Sequence, residues 1–169
     1  MSPPPQGPRQ AAVAFGANLE RPFLALHLAE ELLGLEEGLR FAARSGVWLT
    51  EPVGGPPGQD WYHNQVLLYE TGLEAEKILE LLLKTESALG RARRERWGPR
   101  IIDLDLIFLD GEVAQSGSLT LPHPRLQDRA FVLKPLLEVA PGWTHPVSGL
   151  ALLDLLSRLP RGGPSLRRL

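Results

Sequence analysis

The chain has 169 residues, 43% of them apolar and 22% charged, with a net charge of −2 and no cysteine. That fits one globular domain and excludes a disordered chain, a coiled coil and a chain that binds polyanions along its whole surface. Without thiols, disulfides, thiolate zinc sites and cysteine nucleophiles fall away together, and no run approaches the ~20 apolar residues of a membrane helix. The opening MSPPPQGPRQ carries no apolar segment of the secretory kind, so the expected compartment is the cytoplasm.

Residues 1–9 read as a disordered, proline-rich arm, residues 10–160 as the domain, and residues 161–169 as a loose basic tail. Gln10 to Phe15 is an apolar run ending in Gly16-Ala17-Asn18, the pattern of a strand and a turn. Pro22 suits the first turn of a helix, and Leu24, Leu28, Leu32 and Leu35 keep helical spacing beyond it. Leu39 to Thr50 predicts a strand. Residues 51–60, EPVGGPPGQD, form a loop with three glycines and three prolines. Tyr62 to Thr71 predicts a strand. Leu73 to Leu89 predicts a helix with Ile78, Leu81, Leu82, Thr85 and Leu89 on one face and Gly90 as its stop. Ile101 to Leu109 predicts a strand closed by the Asp110-Gly111 turn, and two helices follow over 131–140 and 150–159. The order strand, helix, strand, strand, helix, strand predicts an α+β fold, a ferredoxin-like antiparallel sheet with helices packed on it.

Charge is spread unevenly. Residues 91–100, RARRERWGPR, hold five arginines against one glutamate, a local +4, which leaves −6 on the other 159 residues. Just beyond stand Asp103 and Asp105, two apart in a strand and therefore on one face, about 6–7 Å from each other. Apolar residues on both faces predict a central, buried strand, with Ile102, Leu104, Leu106 and Phe108 on one side and Ile107 and Leu109 on the side of the aspartates. Two such charges repel by roughly 2–3 kcal/mol at an effective dielectric of about 20. A divalent cation relieves that repulsion, and hard oxygen ligands favour magnesium over zinc. A solvated strand end salt-bridged to Arg100 is the competing reading of the same pair. Carboxylates holding a metal beside arginines holding phosphate oxygens suit a magnesium–polyphosphate complex. A solvated basic loop explains the arginines alone. No Walker A pattern is present.

The loop at 51–60 suits a mobile lid, with Tyr62 and Asn64 sharing a face at its exit, and an amide such as that of Asn64 reads a heterocycle with mixed donors and acceptors. An ordinary hairpin loop explains these residues equally well. In LPHPRLQDRAF, residues 121–131, His123 is placed to touch phosphate and Phe131 to stack on a flat ring, although a lone histidine is more often structural.

These segments together resemble the 6-hydroxymethyl-7,8-dihydropterin pyrophosphokinases of folate biosynthesis. LGRARRERWGPRIIDLDLIFLDG at 89–111 resembles the family's Arg-Trp-Gly-Pro-Arg and Asp-x-Asp signature, and LPHPRLQDRAFVLKPLLEVAP at 121–141 its second signature. FGANL at 15–19, TEPVGG at 50–55 and YHNQVLLYET at 62–71 fall in the family's order. The resemblance implies transfer of the pyrophosphoryl group of ATP to the pterin's hydroxymethyl oxygen, with release of AMP. It implies that Asp103 and Asp105 hold two magnesium ions and that Arg91 and Arg100 hold the transferred phosphates. Glu86, Arg93, Arg96, His123 and Arg129 would line the ATP site. Thr50, Pro52, Val53, Tyr62, Asn64, Trp97 and Phe131 would surround the pterin. The loops at 51–60 and 91–100 would be ordered by the two substrates. Three positions depart from the family's habit: Ala17 where serine is usual, Glu20 where glycine is common, and Trp48 where tyrosine is frequent.

Two other readings compete. An RNA-binding module of this fold would show aromatics on its central strands, which here are aliphatic, so the partners expected are small molecules and neither nucleic acid nor membrane. A metabolite-binding regulatory domain would leave the paired aspartates without a purpose. Oligomeric state is not legible.

Overall fold

A continuous apolar run makes β1 (Arg9–Ala17), and the computed structural model, which describes residues 7–90 and 100–169, buries this strand on both faces. Then follow α1 (Pro22–Gly34), β2 (Leu39–Arg44), β3 (Trp48–Thr50), β4 (Tyr62–Thr71), α2 (Ala75–Ala88) and β5 (Asp103–Leu109). Beyond them lie β6 (Ala114–Gln115), β7 (Thr120–Leu121), α3 (Ala130–Val139), α4 (Leu152–Ser157) and β8 (Leu166–Arg168). The main sheet runs β5-β1-β4-β3-β8, with β2 also on β4, and every pair is antiparallel. That is the ferredoxin-like order, with helices on both sides of the sheet.

The sheet separates two apolar clusters. Ala11, Val13, Phe15, Leu67 and Tyr69 face α1 and α2, where they meet Leu26, Leu33, Ile78 and Leu82. Ala12, Val66, Leu68 and Phe108 face α3 and α4, where they meet Val132, Leu133, Leu136 and Leu155. Phe108 stacks on Trp143 with centroids 4.5 Å apart.

Several expectations change here. The strand read over 39–50 is two strands, broken where Ser45 turns to bond β4: its Oγ accepts from Val66 N at 2.9 Å. α1 begins at Pro22, as its φ restriction favours, yet its inward face is Ala25, Leu26, Ala29 and Leu33. Leu24, Leu28 and Leu35 are exposed. An almost wholly apolar helix carries more than one stripe of the right period, and the stripe holding two alanines approaches the sheet more closely. Arg9, assigned to the arm, already belongs to β1, with its guanidinium on Glu112 at 2.7 Å and on the Leu73 carbonyl at 2.8 Å.

β5 is buried on both faces but lies at the edge of the sheet, not its centre. Apolarity on two faces reports the layers above and below, not the lateral neighbours. Its outer edge is covered instead by Glu86, whose Oε1 accepts from Leu104 N at 2.7 Å, and by His123, whose N–H donates to the Ile107 carbonyl at 2.8 Å. A bulge opposite Ala12–Val13 inserts Ile107 between paired positions. It turns Phe108 to the side of the aspartates and Leu109 to the other, the reverse of strict alternation.

The basic tail, expected to be loose, supplies β8, which pairs with β3 from Trp48↔Arg168 to Thr50↔Leu166. Unpaired amides on a three-residue edge strand and the Glu138 carboxylate, which binds Arg168, give it a place.

Candidate active site

Three neighbouring strands carry the chemistry at one end of the sheet. Gly16 of β1 lies opposite Asn64 of β4 on one side and Asp103 of β5 on the other. Ala14 pairs with Asp105 and with Val66, which belongs to the α3 cluster, so Asp103, Asp105, Asn64, Tyr62 and Thr50 all face the α3 side. Between amide and carboxylates the floor has no side chain at Gly16: a Cβ there would sit 3.4 Å from Asn64 Oδ1. The glycine thus opens a trough from the polar end of β4 to the aspartates.

Asp103 and Asp105 are both half-buried. Arg100 Nη1 donates to Asp103 Oδ1 at 2.7 Å, so the competing salt-bridge reading describes this state of the chain. Asp105 lies near the half-buried Arg129, which burial pushes below its ordinary range while Asp105 and Asp103 hold it up. It stays charged all the same. Its guanidinium carbon lies 5.6 Å from the centroid of the Phe131 ring.

His123 follows a cis Leu121-Pro122 bond. Burial first, then Arg129 and Arg125, push its imidazole down to about 4. It is neutral near pH 7. Nδ1 accepts from Arg125 N at 3.1 Å, so the ring's proton sits on Nε2, ready to donate to an anion.

On the other arm of the trough, Asn64 Nδ2 donates to Thr50 Oγ1 at 2.7 Å, both residues being buried. Pro52 is half-buried and Val53 is exposed. Tyr62 is half-buried, and burial, ahead of nearby charges, pushes its phenol up. Glu86 is buried, and its carboxylate sits behind β5 on a backbone amide, so any contact with a ligand comes in addition to that duty. Arg91, Arg93, Arg96 and Trp97 lie outside the described residues.

Sequence reasoning gave Asn18 no role beyond a turn. Only 2% exposed, it joins three segments. Its Oδ1 accepts from Arg100 N at 2.9 Å, its own N–H donates to the Arg100 carbonyl at 3.1 Å, and its Nδ2 donates to the Asp60 carbonyl at 3.0 Å. It therefore fixes Arg100 against the end of the 51–60 loop. An amide after a strand-ending glycine was the only signal, and turns commonly place asparagine there.

Among the described residues no three metal-binding side chains cluster. Two carboxylates on one face still fit a hard divalent cation, provided other oxygens complete its shell, as nucleotide phosphates do.

Residues 12–141 match the sequence profile of the 7,8-dihydro-6-hydroxymethylpterin-pyrophosphokinase (HPPK) family. The chain belongs to this family. It is 37% identical over 155 residues to the 2-amino-4-hydroxy-6-hydroxymethyldihydropteridine pyrophosphokinase of Synechocystis sp., covering 92% of this chain and 78% of that protein. It is also 37% identical over 154 residues to the protein of that name from Methylorubrum extorquens, covering 91% and 96%. The folic acid synthesis protein fol1 of Schizosaccharomyces pombe is 35% identical over 153 residues, but the chain spans only 21% of its length. A crystal structure of HPPK-DHPS in complex with substrates superposes with a TM-score of 0.68 at 11% identity, over 89% of this chain and 43% of that one, and shares the fold. Like its HPPK relatives, the chain is a pyrophosphokinase of folate biosynthesis with ATP as co-substrate. No described helix is long and apolar enough to cross a membrane.

Proposed function

We propose that the trough over Gly16 holds 6-hydroxymethyl-7,8-dihydropterin at its Asn64 end and the triphosphate of ATP at its aspartate end. The observation that carries this reading is the placing of Asn64 and Asp103 on either side of one glycine, on one face of the sheet. Asn64, oriented by Thr50, bonds the amide edge of the pterin. Tyr62 and Phe131 flank its ring, Pro52 and Val53 border it, and Trp97 joins them from the arginine loop. Glu86, Arg93, Arg96, His123 and Arg129 line the ATP site, with His123 donating from Nε2 as a neutral group.

The hydroxymethyl oxygen attacks the β-phosphorus, the bond from that phosphorus to the α,β-bridging oxygen breaks, AMP leaves, and the hydroxyl proton passes to solvent. Arg91 and Arg100 hold the phosphoryl oxygens as charge shifts between them. Arg100 must first exchange part of its contact with Asp103 for phosphate. Asp103 and Asp105 would hold magnesium, two ions by family resemblance, which when bound neutralise the triphosphate and align the two oxygens. A cation held at Asp103 would supply there the positive charge that Arg100 otherwise supplies. The cytoplasm, which supplies ATP, is the compartment proposed. The partners proposed are these small molecules alone, with no nucleic acid or membrane.

The test is product analysis: ATP, magnesium and the pterin alcohol are incubated with the protein and AMP is separated from ADP. AMP in step with pterin diphosphate supports the reading; ADP overturns it. Asp103→Asn should lower turnover by at least about a hundredfold, the scale of losing one main electrostatic contact, while the chain keeps its fold. Unchanged turnover would remove Asp103 from the metal site.

A further inference from the structure

The loop at 51–60 has few bonds of its own, chiefly those from Gln59 Nε2 to the Gly54 and Pro56 carbonyls at 3.3 and 3.2 Å. Gly54, Gly55 and Gly58 all take left-handed φ values, between 73° and 80°, and the loop's proline nitrogens cannot donate hydrogen bonds. Yet both of its ends are held: the β8 segment touches both, and at the exit it acts together with the Asn18 bond to the Asp60 carbonyl. At the entry, Glu51 N donates to the Ser165 carbonyl at 3.0 Å, and Ser165 N returns a bond to Glu51 Oε2 at 3.2 Å. At the exit, the Arg167 guanidinium lies 6.0 Å from the centroid of the Trp61 ring, next to Tyr62. A cavity of about 520 Å³ lies at this exit, with Arg167, Trp61, Asp60 and Asn18 among its lining residues.

The strand is itself anchored. Arg168 binds both oxygens of Glu138, Nε to Oε1 at 2.9 Å and Nη2 to Oε2 at 3.2 Å. The same carboxylate accepts from Trp48 Nε1 and from Gly46 N, each at 2.8 Å. A Cβ on Gly46 would fall 2.7 Å from the Arg168 guanidinium, so a larger residue there would push that side chain aside. Leu169 N closes the pairing on the Val47 carbonyl at 2.9 Å.

We propose that β8 is a positioning element for the pterin end of the site: a strap that holds the 51–60 loop at both ends and so keeps Thr50 against Asn64. This rests on the reading of the trough given above. β8 lies beyond residues 12–141, so the family profile assigns it no part. Among the described residues the strap touches no proposed ATP contact, and its expected effect falls on the pterin.

The experiment compares the whole chain, a chain ending at Gly163, and the full-length variants Arg167→Ala and Glu138→Ala. KM for the pterin, KM for ATP, kcat and thermal midpoint are measured for each. The expected result is a pterin KM about tenfold higher in the shortened chain and about threefold higher in the point variants, the scale of one or two lost contacts, with the ATP KM within twofold of the parent. An unchanged pterin KM overturns the proposal, as does an equal rise in both KM values, which marks general loosening. If the shortened chain fails to fold, the two point variants, altered only at exposed side chains, decide by the same criteria. If the whole chain releases no AMP, the proposed reaction has failed, and equilibrium pterin binding, followed by tryptophan fluorescence in the same four chains, judges the strap.

Discussion

Glu20, one of the departures noted from the resemblance, takes a φ of +46°, in the left-handed region that favours glycine. A Cβ in the left-handed region crowds the following carbonyl at a cost of roughly 1–2 kcal/mol. Glu20→Gly should therefore raise stability by about 0.5–1 kcal/mol after the entropy of a freer unfolded chain is set against the relief, read as a higher urea midpoint. The other departures are accommodated in place. Ala17 is fully buried in the α1 cluster, where a serine hydroxyl would need a partner. Trp48 uses its indole N–H on Glu138 and lies beneath Lys134, whose Nζ is 5.2 Å from its ring centroid. His123 sets a pH dependence. Its folded value is pushed down to about 4, whereas in the unfolded chain it titrates near 6.5. The folded state thus prefers the neutral ring. The stability this adds is full above about pH 6.5 and is lost as pH falls towards 4. Urea midpoints measured from pH 7 to 4 should fall, and His123→Gln should flatten part of that slope. An identical slope in the variant would remove His123 as its source.

At the scale of elements, β5 shows how one strand serves both the core and the site. Its first residues carry the aspartates and its last residues enter both cores, and the bulge at Ile107 is the joint between these uses. An edge strand needs its outer amides satisfied, and Glu86 does this for Leu104, midway between the two carboxylates. Glu86→Ala leaves that amide buried without its acceptor, which costs about 1–3 kcal/mol. Thermal denaturation should show the loss. Because the start of β5 shifts with it, turnover should fall too; an unchanged midpoint would mean that another group takes over the amide.

The molecule as a whole is three layers sharing one sheet. β1 and β4 feed both apolar clusters, so neither cluster can come apart without exposing the other. Ile78→Ala, on the α2 side, and Leu133→Ala, on the α3 side, should each cost about 2–5 kcal/mol. Both should move a single urea transition seen alike by fluorescence and circular dichroism. Two separate transitions in either variant would show the layers to be independent. The floor of the trough proposed for the substrates is this shared sheet, so it takes part in the same cooperative unit.

The amino-acid sequence by itself determined the order of the main strands and helices, the start of β4 at Tyr62 and of α1 at Pro22, the buried face of α2, and the identity of the paired aspartates. Each of these depends on local spacing: a period of two or of 3.6, a proline, or a turn glycine. Only the tertiary structure decided which stripe of an apolar helix turns inward, that β5 lies at the edge, that Phe108 and Leu109 exchange faces, that Asn18 ties Arg100 to the loop end at Asp60, 42 positions further along the chain than Asn18, and that the basic tail is a strand. These depend on partners far apart along the chain, and no local spacing records a partner.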